Sequence, residues 1–139
     1  MGWKARPQEA LETSRTNFIN VDLDLNGSFD LAPLLAALGP VHIIHTPDES
    51  ASFYILELDA VGLDFEATLG GFLDLIEQLD GAARRLWERC SLRKFNIGIQ
   101  AGLDPSSTLY SISGPMALRV ATAGVDVVIS VSSLRESST

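Results

Sequence analysis

The stretch DFEATLGGFLDLIEQLDGAARRLWERC, residues 64–90, decides the fold of this 139-residue chain. Its apolar side chains recur at steps of three and four, which places them along one side of a helix. They are Phe65, Leu69, Phe72, Ile76, Leu79, Ala83, Leu86 and Cys90. Leu73 and Trp87 widen this stripe, and the charged residues fall mostly on the other side. We predict an amphipathic stretch that covers a sheet, either one helix or two helices that bend at Asp80-Gly81.

Five runs of alternating or β-branched residues around this stretch predict strands. They are residues 18–25, 41–45, 52–59, 91–101 and 125–131. Shorter helices are predicted between Ser28 or Asp30 and Gly39, where we expect a left-handed cap, and between Ser113 and Gly124. The fold class predicted is α+β, a two-layer sandwich with helices on one face of a mostly antiparallel sheet of about five strands.

The two ends of the chain are similar to each other. Residues 20–23 resemble residues 96–99, and residues 35–44 resemble residues 120–128, where a helix of small residues ends on glycine and leads into a β-branched strand. An internal duplication around the central helix is the simplest account. Chance similarity between two common strand-helix-strand units is the alternative.

The chain resembles a family of uncharacterised bacterial domains, the domain-of-unknown-function family numbered 4279. Members of that family look like two such units joined by a helix of the type found in LGGFLDLIEQLDG, residues 69–81. The resemblance runs from about Phe18 to Val131 and rests mostly on glycines and apolar spacing. It implies helices on a mostly antiparallel sheet and no established reaction.

Length and composition predict one domain. With 46% hydrophobic residues, the chain can bury a core of its own, which we assign to residues 16–132. Residues 1–15 are expected to form a loose arm, and residues 133–139 a disordered tail, because both are polar. Cys90 is the only cysteine, so no internal disulfide can form. Without an apolar run near Met1, a cytoplasmic location is expected.

The net charge of the chain indicates which classes of binding partner are favoured. Ten basic and 18 acidic residues give a formal net charge of −8. Such a chain repels phosphate groups, which disfavours a nucleic-acid or anionic-membrane partner and favours basic proteins or neutral ligands.

The sequence contains no recognisable set of catalytic residues. His42 and His45 are spaced for opposite faces of a strand and cannot readily share a metal ion. Asp22 and Asp24 share a face and could bind a divalent cation with a neighbour, but alternating aspartates are more often the solvated side of a strand. Cys90 lies near several arginines, yet its place in the apolar stripe favours burial over reactivity. We therefore predict neither a cofactor, nor a metal site, nor catalytic residues.

The predicted binding surface is the polar side of the sheet. Its residues are Asn20, Asp22, Asp24, Asn96, Gln100 and Asp126. This surface favours a non-enzymatic binding or interaction domain, immunity-like or regulatory. Its partner would be a basic protein, such as a toxin neutralised by an acidic immunity protein, or a second copy of the chain. The alternatives are a small-molecule- or metal-binding enzyme that uses the same face and a structural homo-oligomer.

Overall fold

The computed structural model describes residues 15–45, 53–103 and 107–133. Apart from Arg15 and Ser133, the predicted arm and tail lie outside these ranges. The elements follow one another as β1 (Asn17–Asn26), α1 (Ala32–Leu38), β2 (Val41–His45), β3 (Phe53–Leu58), α2 (Phe65–Glu77), α3 (Gly81–Arg89), β4 (Leu92–Gln100), α4 (Gly114–Ala123) and β5 (Asp126–Ser132).

The strands form one open, five-stranded sheet in the order β2-β3-β1-β4-β5. Neighbouring strands are antiparallel except β4 and β5, which are parallel and are joined through α4. This confirms the predicted α+β class with a mostly antiparallel sheet. β1 lies at the centre, and its Val21, Leu23 and Leu25 are fully buried.

The helices pack on one face of this sheet, which we call the helix-covered face. Its core joins Leu23, Leu56 and Phe95 from three strands to Phe72 and Ile76 of α2, all at most 1% exposed. Burying each such side chain contributes about 1.5–3 kcal/mol, so the apolar stripe that the sequence predicted holds the two layers together. No helix within the described ranges is long and apolar enough to cross a membrane.

The central stretch consists of two helices, which resolves the alternative left open by Asp80-Gly81. Asp64 caps α2 by accepting a hydrogen bond of 2.8 Å from the Ala67 amide. The chain leaves the helix after Glu77 and re-enters at Gly81, whose φ of +54° favours glycine. Arg84 of α3 donates to the Ile76 carbonyl oxygen at 3.0 Å, which satisfies an end group of α2.

Two glycines, Gly71 and Gly39, allow a close helix–strand contact and a tight turn. At Gly71 an added Cβ would lie 2.5 Å from Cδ2 of Leu58, so glycine lets α2 approach β3 closely. The left-handed cap predicted at Gly39 is wrong, because its φ and ψ are +94° and −126°. The Val41 amide donates to the Gly39 carbonyl oxygen at 2.7 Å, and this tight turn leads directly into β2.

The internal duplication predicted from the sequence is not shown by the topology. β4 and β5 are hydrogen-bonded neighbours, whereas β3 separates β1 from β2. The helices of the two units also differ in their contacts, since α1 packs against α3 and α4 packs against α2.

Candidate functional site: the polar face of the sheet

The candidate site lies on the side of the sheet opposite the helix-covered face. The alternation that buries Val21 and Leu23 turns the side chains between them to this other side. No helix of the described ranges packs there. We call this side the polar face, and its polar residues are Asn20, Asp22, Asp24, Glu57, Lys94, Asn96, Gln100, Ser130 and Asp126.

Strand pairing brings together four of the six residues predicted as the binding surface. Asp22 lies opposite Asn96 in the register of β1 and β4, and Asn20 and Asp24 flank Asp22 on the same side. Gln100 and Asp126 do not join this group. Gln100 lies beyond a register shift near Phe18, and Asp126 lies on β5, which β4 separates from β1.

Glu57 of β3 completes an acidic cluster that the sequence did not reveal. The amide Nδ2 of Asn20 donates to Oδ1 of Asp22 at 3.0 Å and to Oε2 of Glu57 at 3.3 Å. One amide therefore bridges carboxylates on two neighbouring strands. We refer to Asp22, Asp24 and Glu57 as the acidic cluster.

Asp24 is the most deeply buried member of the acidic cluster, at 4% exposure. Its Oδ2 lies 3.8 Å from Nζ of Lys94, and its Oδ1 is buried without a hydrogen-bond partner in the described part of the chain. Burial raises the pKa of Asp24, and the Lys94 charge offsets part of that rise. A buried carboxylate oxygen without a partner is costly, so this position favours a cationic or hydrogen-bond-donating neighbour.

Asp22 is less buried but lies among like charges. Burial, followed by the charges of Glu57 and Asp24, raises the pKa of Asp22 to about 6. The carboxylate of Asp22 is therefore held in its ionised form at neutral pH against repulsion from its neighbours. A cation placed between Asp22 and Glu57 would lower that pKa and relieve the repulsion.

His42 of β2 lies opposite Glu57 in the register of β2 and β3. His42 Nε2 is 2.9 Å from Oδ1 of Asp59, and both side chains are exposed. A register shift lies between Ile43 and His45, and the His45 side chain, which the sequence predicts to face away from His42, lies outside the described part of the structure. Among the described residues, no group of three or more histidine, cysteine, aspartate or glutamate side chains could hold a metal ion.

Cys90 lies in the core at the end of α3. It is 7% exposed, and its Sγ lies 3.5 Å from the Leu86 carbonyl oxygen. Burial raises the pKa of the thiol more than the Arg93 charge lowers it. The Arg93 guanidinium donates to the carbonyl oxygens of Trp87 and Cys90, so it satisfies acceptor groups at the C-terminal end of α3.

A cavity of about 230 Å³ adjoins the acidic cluster where β1 and β3 meet α2, with Asn20, Glu57 and Thr68 in its lining. Its volume is below the roughly 300–1,000 Å³ of typical small-molecule sites. Two larger depressions of about 510 and 470 Å³ lie elsewhere, beside Tyr110 and beside Met116, and no residue of the polar face lines them.

Sequence reasoning missed three residues of the polar face. Glu57 alternates with buried Leu56, but its place beside Asp22 requires that β3 pair with β1, which the sequence does not specify. Lys94 and Asn96 alternate in β4, so the same pattern that predicted Asn96 also contained Lys94. Ser130 donates to Oδ1 of Asn96 at 2.8 Å from the neighbouring strand β5.

Comparisons with known protein families, with curated proteins and with solved structures find no match for this chain. The resemblance to the family numbered 4279 stays a prediction.

Proposed function

We propose that this chain is a non-enzymatic protein-interaction domain that binds a basic protein segment on its polar face. The observation that carries the proposal is the acidic cluster, three carboxylates with one lysine beside them, in which the buried Oδ1 of Asp24 has no partner among the described residues. A lysine or arginine side chain of a partner would place a cation beside the more exposed Asp22 and Glu57. Arginine suits the site best, since its planar guanidinium can donate to two carboxylates at once.

The charge distribution supports this class of partner. The net charge of −8 attracts a basic protein over a distance and increases its association rate. At short range, Asp22 and Glu57 share a single neutral donor, Asn20, while Lys94 lies beside Asp24. The carboxylates thus outnumber the cation beside them, which leaves charge for a partner to neutralise.

The alternative of a small-molecule enzyme has less support. The cavity beside the acidic cluster is small, and the polar face is a sheet surface of the kind that suits an extended or flat partner. A basic toxin neutralised by an acidic immunity protein is one partner with the chemistry we propose, and a regulatory basic protein is another.

The test is a titration of the isotope-labelled chain with a nona-arginine peptide, followed by NMR and by calorimetry. We expect shifts in β1, β3 and β4 at positions on the polar face. The double variant Asp22→Asn/Glu57→Gln should weaken binding severalfold. The matched control Asp80→Asn/Glu88→Gln removes the same number of charges from exposed positions of the helical layer and should bind as the unmodified chain does.

Two results would contradict the proposal. Equal weakening by both double variants would mean that only net charge matters, and shifts concentrated on the helices would place the peptide elsewhere. Binding should also weaken as the pH falls through about 6, because Asp22 then takes up a proton.

A further inference from the structure

Strand β5 is an exposed edge of the sheet. It runs for seven residues, Asp126–Ser132, and every one of them is exposed. β4 pairs with one side of it, and no strand in the described ranges pairs with the other. Every second residue of an edge strand directs its amide and carbonyl groups away from the sheet, where another strand can bind them.

The sequence of β5 lacks the features that usually protect an edge. It contains neither proline nor lysine, and its one charged residue, Asp126, lies at its first position. Four β-branched apolar side chains, Val127, Val128, Ile129 and Val131, are 39–62% exposed. A long, mostly apolar edge with no charge beyond its first residue is a surface for strand pairing.

The order of side chains along β5 complements itself. A two-fold axis perpendicular to the sheet makes two copies of β5 antiparallel and keeps their helix-covered faces on one side. In the register centred on Ile129, all seven residues are paired. Ile129 then faces the second copy's Ile129, Val127 faces Val131, and Asp126 faces Ser132. The apolar residues on the helix-covered side of β5, Val127, Ile129 and Val131, are thereby paired with one another, and Val128 on the polar side faces Ser130.

Charge favours this arrangement over the parallel one. In the antiparallel register the two Asp126 side chains lie at opposite ends of the interface, whereas a parallel in-register pair would place them side by side. Asp126 is also next to Lys94 in the register of β4 and β5. Each copy carries a net charge of −8, but no charged residue lies at the centre of the contact.

Helix α4 offers a second contact on the same side. Met116, Arg119 and Val120 face α2 or the core, and Leu118, 68% exposed, lies on the opposite side of the helix. Because α4 joins β4 to β5, a two-fold axis at Ile129 would bring the two α4 helices toward each other.

We infer that the chain forms a two-fold symmetric dimer through antiparallel pairing of β5 with β5 of a second copy. The dimer joins two five-stranded sheets into one and leaves both polar faces open on the same side. A single paired strand is a small interface, so the dimer dissociates at low concentration. The inference does not depend on the proposed function, because the acidic cluster takes no part in the contact.

Cross-linking tests the register. In a Cys90→Ala background, Ile129→Cys places two thiols at a self-paired position whose Cα atoms are about 4.5–5.5 Å apart, within the range of a disulfide. Mild oxidation should give a covalent dimer. Val127→Cys alone should not, because its two copies are about 13 Å apart along the strands. Mixing Val127→Cys with Val131→Cys should restore the cross-link between the two proteins.

Sedimentation of the otherwise unmodified chain, from micromolar to millimolar concentration, supplies the second test. We expect a reversible monomer–dimer equilibrium that Ile129→Lys abolishes while the circular dichroism spectrum is preserved. Val61→Lys introduces the same charge at a side chain 93% exposed in the loop before α2 and should leave the equilibrium unchanged. A monomer at all concentrations, or equal cross-linking by Val127→Cys and Ile129→Cys, would overturn the inference.

Discussion

The indole Nε1 of Trp87 donates a hydrogen bond of 3.0 Å to the carbonyl oxygen of Ala123. Trp87 belongs to α3 and is 1% exposed, and Ala123 is the last residue of α4. Arg93 of β4 reinforces this junction, since its Nη1 donates to the Trp87 carbonyl oxygen at 2.8 Å and its Nε to that of Gly124 at 3.0 Å. Two helix ends that lie far apart in the sequence are therefore fixed to each other.

Trp87→Phe should lower the free energy of unfolding by about 1–3 kcal/mol, because the buried Ala123 carbonyl loses its donor and a smaller ring leaves a void. Urea unfolding followed by circular dichroism measures this change. Arg85→Lys, at an exposed position of the same helix, is the control and should change little. An unchanged midpoint for Trp87→Phe would show that the hydrogen bond does not form.

Gly124→Ala should be more destabilising than Gly62→Ala. The two glycines have nearly the same φ, +74° and +76°, so each substitution incurs the cost of a left-handed alanine, about 1–2 kcal/mol. Only at Gly124 would the new Cβ meet a neighbour, Nη2 of Arg93 at 3.1 Å. Displacing that guanidinium should cost about 1 kcal/mol more through its hydrogen bonds. Equal unfolding midpoints for the two variants would refute the role given to Arg93.

Asp22→Asn should stabilise the chain at neutral pH and leave it unchanged near pH 4. The pKa of Asp22 is about 6 in the folded state and about 4 in an unfolded chain. Between these values the folded state binds more protons, so its stability falls as the pH rises from 4 to 6 and is then constant. The full shift corresponds to about 3 kcal/mol, and solvent screening of this partly exposed group reduces the expected gain to about 1 kcal/mol.

Thermal unfolding as a function of pH measures the effect of Asp22→Asn. The control is Asp80→Asn, which removes an exposed carboxylate that does not cap its helix. If Asp22→Asn destabilises the chain at pH 7, the repulsion within the acidic cluster is weaker than the contacts of the carboxylate.

Cys90 should react slowly with a thiol reagent in the native state and quickly after denaturation. Burial excludes the reagent and raises the pKa of the thiol, so that little thiolate is present. Cys90→Ala should cost about 1–2 kcal/mol of packing. Fast labelling of the native chain would instead indicate an accessible, activated thiol.

The sequence was sufficient to predict the elements because their patterns are local. The stripe from Phe65 to Cys90 and the alternation in β1 and β4 depend on neighbours within a few residues. The break at Gly81 was only one of two alternatives, since an aspartate-glycine pair both interrupts and begins helices. The conformation of Gly39 depended on a hydrogen bond across Pro40, which the spacing of residues does not specify.

The candidate site was predictable only in part. Alternation alone placed Asn20, Asp22 and Asp24 on one face, and the register of β4 added Asn96. Glu57 required knowledge that β3 inserts between β1 and β2, a choice among long-range pairings that local patterns do not make. Gln100 and Asp126 have the predicted alternation but lie too far along β4 or too far across the sheet to join the cluster.

The central position of β1 has a consequence for folding on the ribosome. Its first residue, Asn17, pairs with Gln100 of β4, so one side of β1 stays unpaired until most of the chain has been synthesised. Before then, β2, β3 and β1 can form only a partial sheet that carries Asp22, Asp24 and Glu57 without Lys94. The arrival of β4 supplies this cation to Asp24. The addition of β4 to the core and the partial neutralisation of the acidic cluster therefore occur together, late in synthesis.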